Sequence, residues 1–304
     1  MPGDLFYWLL NMSIISAATT VIILIIRSIR KVPSRAMVFL WALPFIRMLV
    51  PLGINSRYSL MSQLPKLLFK TITVYDSEKM LELSTTNTIM AVEEYFPLKY
   101  KTESLELLFN VASLIWLIGA VSIILTLAAL YIATMREVNM GLKEQGEVYC
   151  SENIISPAVY GIIRPKIIIP SSTKEADKKY IVMHETEHLK MNDNLRRILG
   201  FLAVSLHWFN PFAWLALKLM LEDMELACDE RVASKLTKNE RGEYAKVLLG
   251  ATRRKDVFVS AFGGARVRTR VENILSFRKM TWLSITVFSI FSVATAFILL
   301  TNAA

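Results

Sequence analysis

Histidine and cysteine are scarce in this sequence. The chain has three histidines and two cysteines, Cys150 and Cys228, among 304 residues. Two cysteines do not make a disulfide framework, and a reducing, cytosolic location suits the part of the chain that carries them. Because histidine is so rare, a pair of histidines four residues apart is unlikely to be a coincidence of composition.

The sequence also has no internal repeat, no low-complexity tract and no long basic run interleaved with aromatic residues. The net charge of +9 therefore does not indicate a direct nucleic-acid partner. It instead fits membrane topology and attraction to an anionic lipid bilayer. Apolar residues make up 54% of the chain, charged residues 20%, and the mean hydropathy is +0.42. This mixture predicts a few spanning helices together with a polar domain large enough to hold a core.

Four apolar segments are long enough to cross a bilayer about 30 Å thick. The predicted spans are residues 5–26, 36–54 and 107–135, and a fourth within residues 280–304. Four basic residues and no acid follow the first span: Arg27, Arg30, Lys31 and Arg35. The positive-inside rule makes that loop cytoplasmic, so both termini lie outside and residues 55–104 form an extracellular loop. Arg47 in the second span is predicted to pair with protein groups, because a charge facing lipid is costly.

The most informative stretch is His184-Glu185-Thr186-Glu187-His188. On a helix, His184 and His188 project from one face, because residues four apart are neighbours at 3.6 residues per turn. Two neutral imidazoles so placed bind one Zn²⁺, and Glu185 reaches the water bound to the metal. The other interpretation is an amphipathic helix with two chance histidines.

A catalytic zinc site needs a third protein ligand and an open position for water. Helical spacing places Glu225 and Asp229 on one face, so that Glu225 can bind the metal. Asp229 can then accept a hydrogen bond from the second ring nitrogen of a ligand histidine. The alternative is a solvated acidic helix face, because three further acids lie nearby: Glu222, Asp223 and Glu230.

At these residues the sequence resembles the BlaR/MecR family of membrane zinc peptidases. The resemblance rests on HETEH, on ELACD at 225–229, on SPAVYGIIRPKIIIP at 156–170 and on HWFNPFAW at 207–214. It implies that His184, His188 and Glu225 bind Zn²⁺, that Glu185 is the general base and that Asp229 orients a ligand. The best-known members carry an outer penicillin-binding sensor domain after the fourth span, whereas this sequence ends at Ala304. Either that domain has been removed or this member never had one, so direct β-lactam sensing is not expected of these residues.

The apolar stretch 200–221 is also long enough to span, but it contains His207, Asn210, Pro211 and Lys218. If it crossed the bilayer, Glu225 would lie roughly 30 Å from His188 on the other side. We therefore predict a buried or membrane-grazing helix, or a hairpin broken near Asn210–Pro211.

Residues 156–170 are predicted to form an extended hairpin between prolines, with an edge strand beside the zinc site. Such an edge, at Val159, Tyr160 and Gly161, can offer main-chain groups to a peptide substrate. As a bare pattern the segment is equally a core hairpin, and the family resemblance favours peptide docking. The basic segment 266–279 is predicted to be a juxtamembrane helix on anionic lipid. Because family members cut themselves in this region, the Ser276–Phe277 bond is a hypothetical self-cleavage site.

The sequence thus predicts a mainly α membrane protein. Residues 1–135 form the membrane region, 136–279 a cytoplasmic gluzincin-like α+β zinc peptidase domain, and 280–304 the fourth transmembrane helix. The predicted function is a zinc endopeptidase of the bacterial cell membrane that transduces an external signal, such as an antibiotic or cell-wall stress. Its predicted substrate is a cytoplasmic transcriptional repressor, itself, or both, and a homo-oligomer is among the candidate assemblies. Two alternatives stay open: a housekeeping protease similar to HtpX and Ste24, and a non-catalytic receptor or scaffold with a structural zinc site.

Overall fold

The computed structural model describes most of the chain, but leaves the predicted extracellular loop almost entirely outside the described residues. The described residues are 2–29, 32–50, 56–59, 103–138, 142–145, 148–152, 154, 156–161, 165–251, 267–279 and 281–301. The helices are α1 (Pro2–Ser28), α2 (Ser34–Leu49), α3 (Glu103–Val138), α4 (Glu175–Lys190), α5 (Asp193–Leu206), α6 (Pro211–Ala233), α7 (Lys238–Ala251), α8 (Val267–Leu275) and α9 (Trp282–Leu300). The strands are β1 (Leu142–Gln145), β2 (Val148–Ser151), β3 (Ala158–Tyr160) and β4 (Lys166–Pro170).

Among the described residues, three helices are long and apolar enough to cross a membrane. They contain Trp8–Ser28 in α1, Leu107–Arg136 in α3 and Trp282–Leu300 in α9. The second predicted span, 36–54, corresponds to α2, whose 16 residues extend only about 24 Å at 1.5 Å per residue. Residues 51–54 of that span lie outside the described residues. The chain is therefore a mainly helical membrane protein with a small sheet.

Helix α2 is more enclosed than the three long apolar helices. Leu40, Trp41 and Leu43 are buried completely or nearly so, because α1, α6 and α9 pack around the helix. The predicted pairing of Arg47 with protein groups is confirmed: its guanidinium donates to the carbonyl oxygens of Leu299 and Thr301 at the end of α9.

The apolar stretch 200–221 folds as a helical hairpin, one of the structures that the sequence allowed. Helix α5 ends at Leu206, and α6 begins at Pro211 with Asn210 as its N-cap. The Asn210 side chain accepts a hydrogen bond from the N–H of Phe212, and proline suits the first helical position because its missing N–H is not needed there. The hairpin reverses the chain, so α6 returns alongside α5.

The tip of this hairpin is held by α1, α2 and α3. Asn210 donates to the carbonyl and hydroxyl oxygens of Ser13, and a ring nitrogen of His207 lies 3.0 Å from the carbonyl oxygen of Met48. The indole of Trp116 donates to Leu206, and that of Trp208 donates to Trp116. The polar groups at the tip are therefore largely satisfied inside the helix bundle.

The four strands form one sheet in the order β1–β2–β4–β3. Strand β3 pairs antiparallel with β4, with Val159 opposite Ile167, which confirms the predicted hairpin over 156–170. Residues 155 and 162–164 of this segment lie outside the described residues. Strand β4 is the buried strand, with Ile167, Ile168 and Ile169 at most 3% exposed, and β3 lies at an edge of the described sheet.

Helix α6 joins two hydrophobic clusters. Its first half, from Ala213 to Met224, packs among helices α1, α2, α5 and α9. Its last turns contribute Val232 to a second cluster with α7 and α8. The residues between these two clusters include Glu225 and Asp229, so α6 fixes their position with respect to both halves of the protein.

Candidate metal centre

Helix α4 brings the two histidines of HETEH together on a buried face. His184 is 9% exposed and His188 is 5% exposed, and their rings meet edge to face with centroids 4.8 Å apart. The two Nε2 atoms lie 3.2 Å apart. Residues four apart on a helix can reach this geometry without strain.

Helix α6 places Glu225 against both imidazoles. One carboxylate oxygen lies 3.6 Å from Nε2 of His184, and the other lies 3.6 Å from Nε2 of His188. The preceding turn of α6 is anchored by Asp223, which accepts hydrogen bonds from the Trp41 indole and the Arg27 guanidinium. The chain therefore gathers two nitrogens and a carboxylate from separate helices into one triangle.

The donor set fits a tetrahedral metal ion. Bonds of about 2.0–2.2 Å to nitrogen and oxygen place neighbouring ligand atoms roughly 3.3 Å apart. The two Nε2 atoms lie 3.2 Å apart, which is close to this value, and each of them has a different oxygen of Glu225 at 3.6 Å. His184, His188 and Cys228 also bring ligand atoms within 4.8 Å of one another. The Cys228 sulfur, however, lies 3.4 Å from Nδ1 of His184, the nitrogen that faces away from Glu225.

Tyr244 and Asp229 contact Nδ1 of His184. In each of the two histidines, Nδ1 is the outer nitrogen and Nε2, which faces the other ligands, is the inner nitrogen. The Tyr244 hydroxyl lies 2.8 Å from Nδ1 of His184 and donates to Asp229 at 2.6 Å. Asp229 is itself 3.4 Å from Nδ1. The arrangement suits a chain in which Nδ1–H donates to the tyrosine and the tyrosine donates to the carboxylate, so that Nε2 is left as the free base. The direct partner of His184 is thus Tyr244, with the predicted Asp229 next to both.

Asp193 holds the outer nitrogen of His188 at 2.7 Å. It is the first residue of α5, and a tight turn at Asn192 connects it to α4. Asn192 has φ 52°, the left-handed conformation that asparagine adopts more readily than most residues. This turn folds Asp193 back onto the helix that carries His188.

Two arginines neutralise the acids at the centre. Arg197 donates to Glu225 at 2.9 Å, and Arg270 donates to both oxygens of Asp229. Burial alone would raise the pKa of Glu225, but the charges of His188 and Arg270 hold the pKa well below its ordinary value. Burial is likewise outweighed at Asp229, where Arg270 lowers the pKa. Both groups are therefore carboxylates at neutral pH.

The two acids between the histidines differ in their environment. Glu187 is bonded to Lys235 and paired with Arg231, so its carboxylate is engaged in packing α4 against the end of α6. Glu185 is 8% exposed, and within the described part of the chain its carboxylate makes no hydrogen bond or ion pair. Of these two acids, Glu185 is thus the one without a partner among the described residues.

A groove runs from His188 to the edge strand β3. Its lining residues are Val159, Gly161, Pro165, His188, Leu189, Asn192, Asn194 and Leu195. The Asn194 amide donates to the carbonyl oxygens of Val159 and Gly161, at 2.8 and 3.0 Å. The predicted docking residues Val159 and Gly161 therefore line this groove, but Asn194 engages their carbonyls. Tyr160, the last residue of β3, is half-buried.

The Ser276–Phe277 bond lies just beyond α8. The Ser276 N–H donates to Glu272, and Arg241 donates to the carbonyl of Phe277 while its guanidinium lies 4.9 Å from the ring centroid. None of these described contacts involves His184, His188 or Glu225. The peptide bond proposed for self-cleavage is thus held on α7.

Sequence reasoning missed Tyr244, Asp193, Arg197 and Arg270. Only Arg270 left a usable signal. On α8 it shares a face with Val267, Val271 and Ile274 at helical spacing, and this face packs inward. The segment predicted to lie on lipid through its basic residues therefore directs one of them into the protein.

Comparison with known proteins gives the family. The family described as BlaR1 peptidase M56 matches residues 7–275. The methicillin resistance mecR1 protein of Staphylococcus aureus (strain Mu50) is 32% identical over 103 residues, covering 33% of this chain and 18% of that protein. The regulatory protein BlaR1 of Bacillus licheniformis is 37% identical over 102 residues, covering 33% and 17%. BlaR1 of Staphylococcus aureus is 24% identical over 220 residues, covering 62% and 37%.

The matched regions therefore span well under two thirds of each of these relatives. The family match itself extends over most of the chain, including the helices that carry His184, His188 and Glu225. Together with the three apolar helices, it identifies a bacterial membrane protein. The chain belongs to the BlaR1 peptidase M56 family of metallopeptidases.

Proposed function

We propose that this chain is an integral-membrane zinc endopeptidase that converts an external signal into cytoplasmic proteolysis. The observation that carries the proposal is the cluster of His184, His188 and Glu225, in which the two Nε2 atoms lie 3.2 Å apart and each has a Glu225 oxygen at 3.6 Å. Both imidazoles have a partner on the outer nitrogen, which leaves the inner nitrogens to bind.

Each residue of the site has a distinct task. Zn²⁺ in this site would lower the pKa of a bound water towards about 7 and polarise the scissile carbonyl. Glu185 takes a proton from the attacking water and later delivers it to the leaving amine. Asp229 and Tyr244 orient His184, Asp193 orients His188, and Arg197 holds the Glu225 carboxylate in place.

The groove beside His188 is the best candidate for holding the substrate peptide. Its lining includes Val159 of β3 and the following Gly161, together with Leu189 and Leu195. A peptide that pairs with β3 has to share the carbonyls of Val159 and Gly161 with Asn194, or use the N–H groups of this strand. Asn194 therefore sets how open the edge strand is to substrate.

The proposed topology has four spans, with α2 as the short second span and both termini outside. Residues 1–135 and 280–304 are then the membrane parts, and 136–279 the cytoplasmic peptidase domain. Two contacts support this arrangement. Arg47 near the C-terminal end of α2 donates to the C-terminal end of α9, so these two ends lie on the same side. Arg27 at the C-terminal end of α1 donates to Asp223, two residues before Glu225, so this end of α1 lies beside the metal centre. The α5–α6 hairpin enters the bundle and returns, which keeps Glu225 on the side of His188.

The proposed substrate is a cytoplasmic transcriptional repressor, the chain itself, or both. The support comes from the relatives, one of which is a methicillin resistance protein while the others are regulatory proteins. An antibiotic or cell-wall stress is the corresponding class of signal. Self-cleavage at Ser276–Phe277 requires this peptide to leave Arg241 before it can enter the groove.

Mass spectrometry of the cleavage products tests the proposal. The wild type and Glu185→Ala are compared in membranes, each with zinc and with a chelator. We expect fragments from the zinc-loaded wild type alone, while Glu185→Ala retains its metal and stays intact. An active Glu185→Ala protein would refute the role of Glu185, and a wild type that binds no metal would refute the metal site.

A further inference from the structure

The helix that leads to the last span reaches into the metal centre. Helix α8 ends at Leu275, and residues 276–281 connect it to α9. The Arg270 side chain on α8 is 13% exposed, whereas that of Arg268, two residues earlier, is 89% exposed. A single turn of this basic helix thus carries one arginine in solvent and one inside the protein.

The Arg270 guanidinium connects three groups of the site. Its Nε and one Nη donate to the two oxygens of Asp229, at 2.6 and 2.9 Å. The same Nη lies 3.4 Å from Nε2 of His184, and the other Nη lies 3.4 Å from a Glu225 oxygen. This two-pronged contact fixes the orientation of Asp229 more firmly than a single hydrogen bond would.

Helix α8 is seated on the peptidase domain by apolar contacts on the same face. Ile274 is 1% exposed and packs with Val267 and Val271 against Tyr244 and Leu248 of α7. Tyr244 also bonds to His184 and Asp229. A displacement of α8 would therefore disturb both the arginine and the tyrosine that fix the outer side of His184.

We propose that Arg270 is a positioning residue that couples the metal affinity of the site to the position of α8. Because α8 is connected to the inner end of α9, the position of α9 would affect the metal affinity as well. The proposal rests on the metal site proposed above. Without Arg270, the completely buried Asp229 carboxylate has no arginine or lysine partner among the described residues. Asp229 can then no longer hold the orientation of Tyr244 and His184.

The charge of Arg270 acts in the opposite direction, because a cation near a divalent ion repels it. Asp229 neutralises the guanidinium through two hydrogen bonds, so the effect on ligand orientation outweighs the repulsion. Thermodynamic linkage requires the reciprocal effect: if a seated α8 favours metal binding, bound metal favours a seated α8.

Metal affinity of the purified full chain tests the first half of this linkage. It is measured by competition with a chromophoric chelator for the wild type, Arg270→Gln, Arg270→Lys and Arg268→Gln. We expect binding about 10–100-fold weaker for Arg270→Gln, as for other outer partners of metal ligands. Arg270→Lys should retain part of the affinity, because a lysine keeps the charge but not the fork. The control Arg268→Gln should match the wild type.

Hydrogen exchange of the amides in α8 tests the second half of the linkage. We expect zinc to slow exchange over Val267–Leu275 in the wild type and in Arg268→Gln, but not in Arg270→Gln. Unchanged or tighter metal binding by Arg270→Gln would overturn the proposal. The proposal would also fail if zinc did not change the amide exchange rates of α8 in the wild type. A wild type that fails to bind zinc would instead refute the metal site itself.

Discussion

Asp193 lies 2.7 Å from Nδ1 of His188, although it belongs to the next helix along the chain. Asp193 is 1% exposed, and its carboxylate also accepts a hydrogen bond from the Arg196 guanidinium at 3.1 Å. A buried carboxylate in this position fixes the ring orientation of a ligand histidine and increases the basicity of the other nitrogen.

Asp193→Ala should weaken metal binding by about 10–100-fold, because His188 loses the group that orients it. The measurement is a chelator competition on the purified protein. Glu175→Ala is the control, since Glu175 lies on α4 with a side chain 85% exposed and its partner is Lys178. Equal affinity of Asp193→Ala and the control would contradict a metal-ligand role for His188.

Asn192→Ala should destabilise the protein by about 1–2 kcal/mol, because alanine pays a steric cost in the left-handed conformation that asparagine tolerates. Asn192→Gly should cost much less, since glycine adopts this conformation freely. The two variants are compared by chemical denaturation in detergent. If both lose the same stability, the side chain of Asn192 matters rather than its backbone.

Cobalt substitution should distinguish the two ligand sets available to the metal. With His184, His188 and Glu225 as ligands, the Co²⁺ protein should have no thiolate-to-cobalt charge-transfer band, and Cys228→Ser should leave its spectrum unchanged. The reason is that the Cys228 sulfur lies 3.4 Å from Nδ1 of His184, whereas oxygens of Glu225 lie 3.6 Å from the two Nε2 atoms. A charge-transfer band lost in Cys228→Ser would assign the thiolate as a ligand in place of Glu225.

Metal binding should also depend steeply on pH. Burial would lower the pKa of His184, but Cys228, Tyr244 and Asp229 raise it well above the ordinary value in the protein without metal. Burial is outweighed at His188 too, where Glu225 and Asp193 raise the pKa well above its ordinary value. A metal must displace these protons, so affinity falls as pH falls, by up to about tenfold per pH unit for each proton.

Chelator competition at several pH values measures this dependence. Because both pKa values are raised, the affinity should still increase with pH above neutrality, where an imidazole of ordinary pKa about 6.5 has already lost its proton. A plateau that begins at pH 7 would contradict the raised pKa values.

The parts of the site that sequence reasoning predicted are those fixed by local helical geometry. His184 and His188 are four residues apart on one helix, so their contact follows from the spacing alone. The proximity of Glu225 to them was inferred from a second helical motif, and α6 does bring it there. The roles of these residues remain proposals, but their positions were available from the sequence.

The residues that the sequence did not reveal reach the site through tertiary packing. Tyr244 comes from α7 and Arg270 from α8, and no local spacing relates either of them to His184. In the fold, the apolar runs and the hairpin over 156–170 were predicted, while strands β1 and β2 were not. Strand β2 joins the sheet by pairing in parallel with β4, which follows later in the chain, and such a contact leaves no short-range signal.

Gly119 provides a stability test of the contact between α3 and the hairpin tip. A Cβ at this position would lie 2.7–2.8 Å from the Trp208 indole. Trp208 cannot move freely, because its indole N–H donates to the carbonyl oxygen of Trp116 and its own carbonyl oxygen accepts a hydrogen bond from the Trp214 indole. Gly119→Ala should therefore destabilise the protein by about 1–3 kcal/mol, the usual cost of overpacking.

Gly242→Ala is the matched control for this substitution. Gly242 is also helical, within α7, and an added Cβ there meets no atom within 4 Å. Alanine should stabilise this helix by about 0.5–1 kcal/mol, since glycine in a helix interior is unfavourable. The midpoint temperature of thermal unfolding in detergent should thus fall for Gly119→Ala and rise for Gly242→Ala. If Gly119→Ala is as stable as Gly242→Ala, α3 does not pack closely on the tip of the α5–α6 hairpin. The Trp116–Trp208 contact would then not support the hairpin.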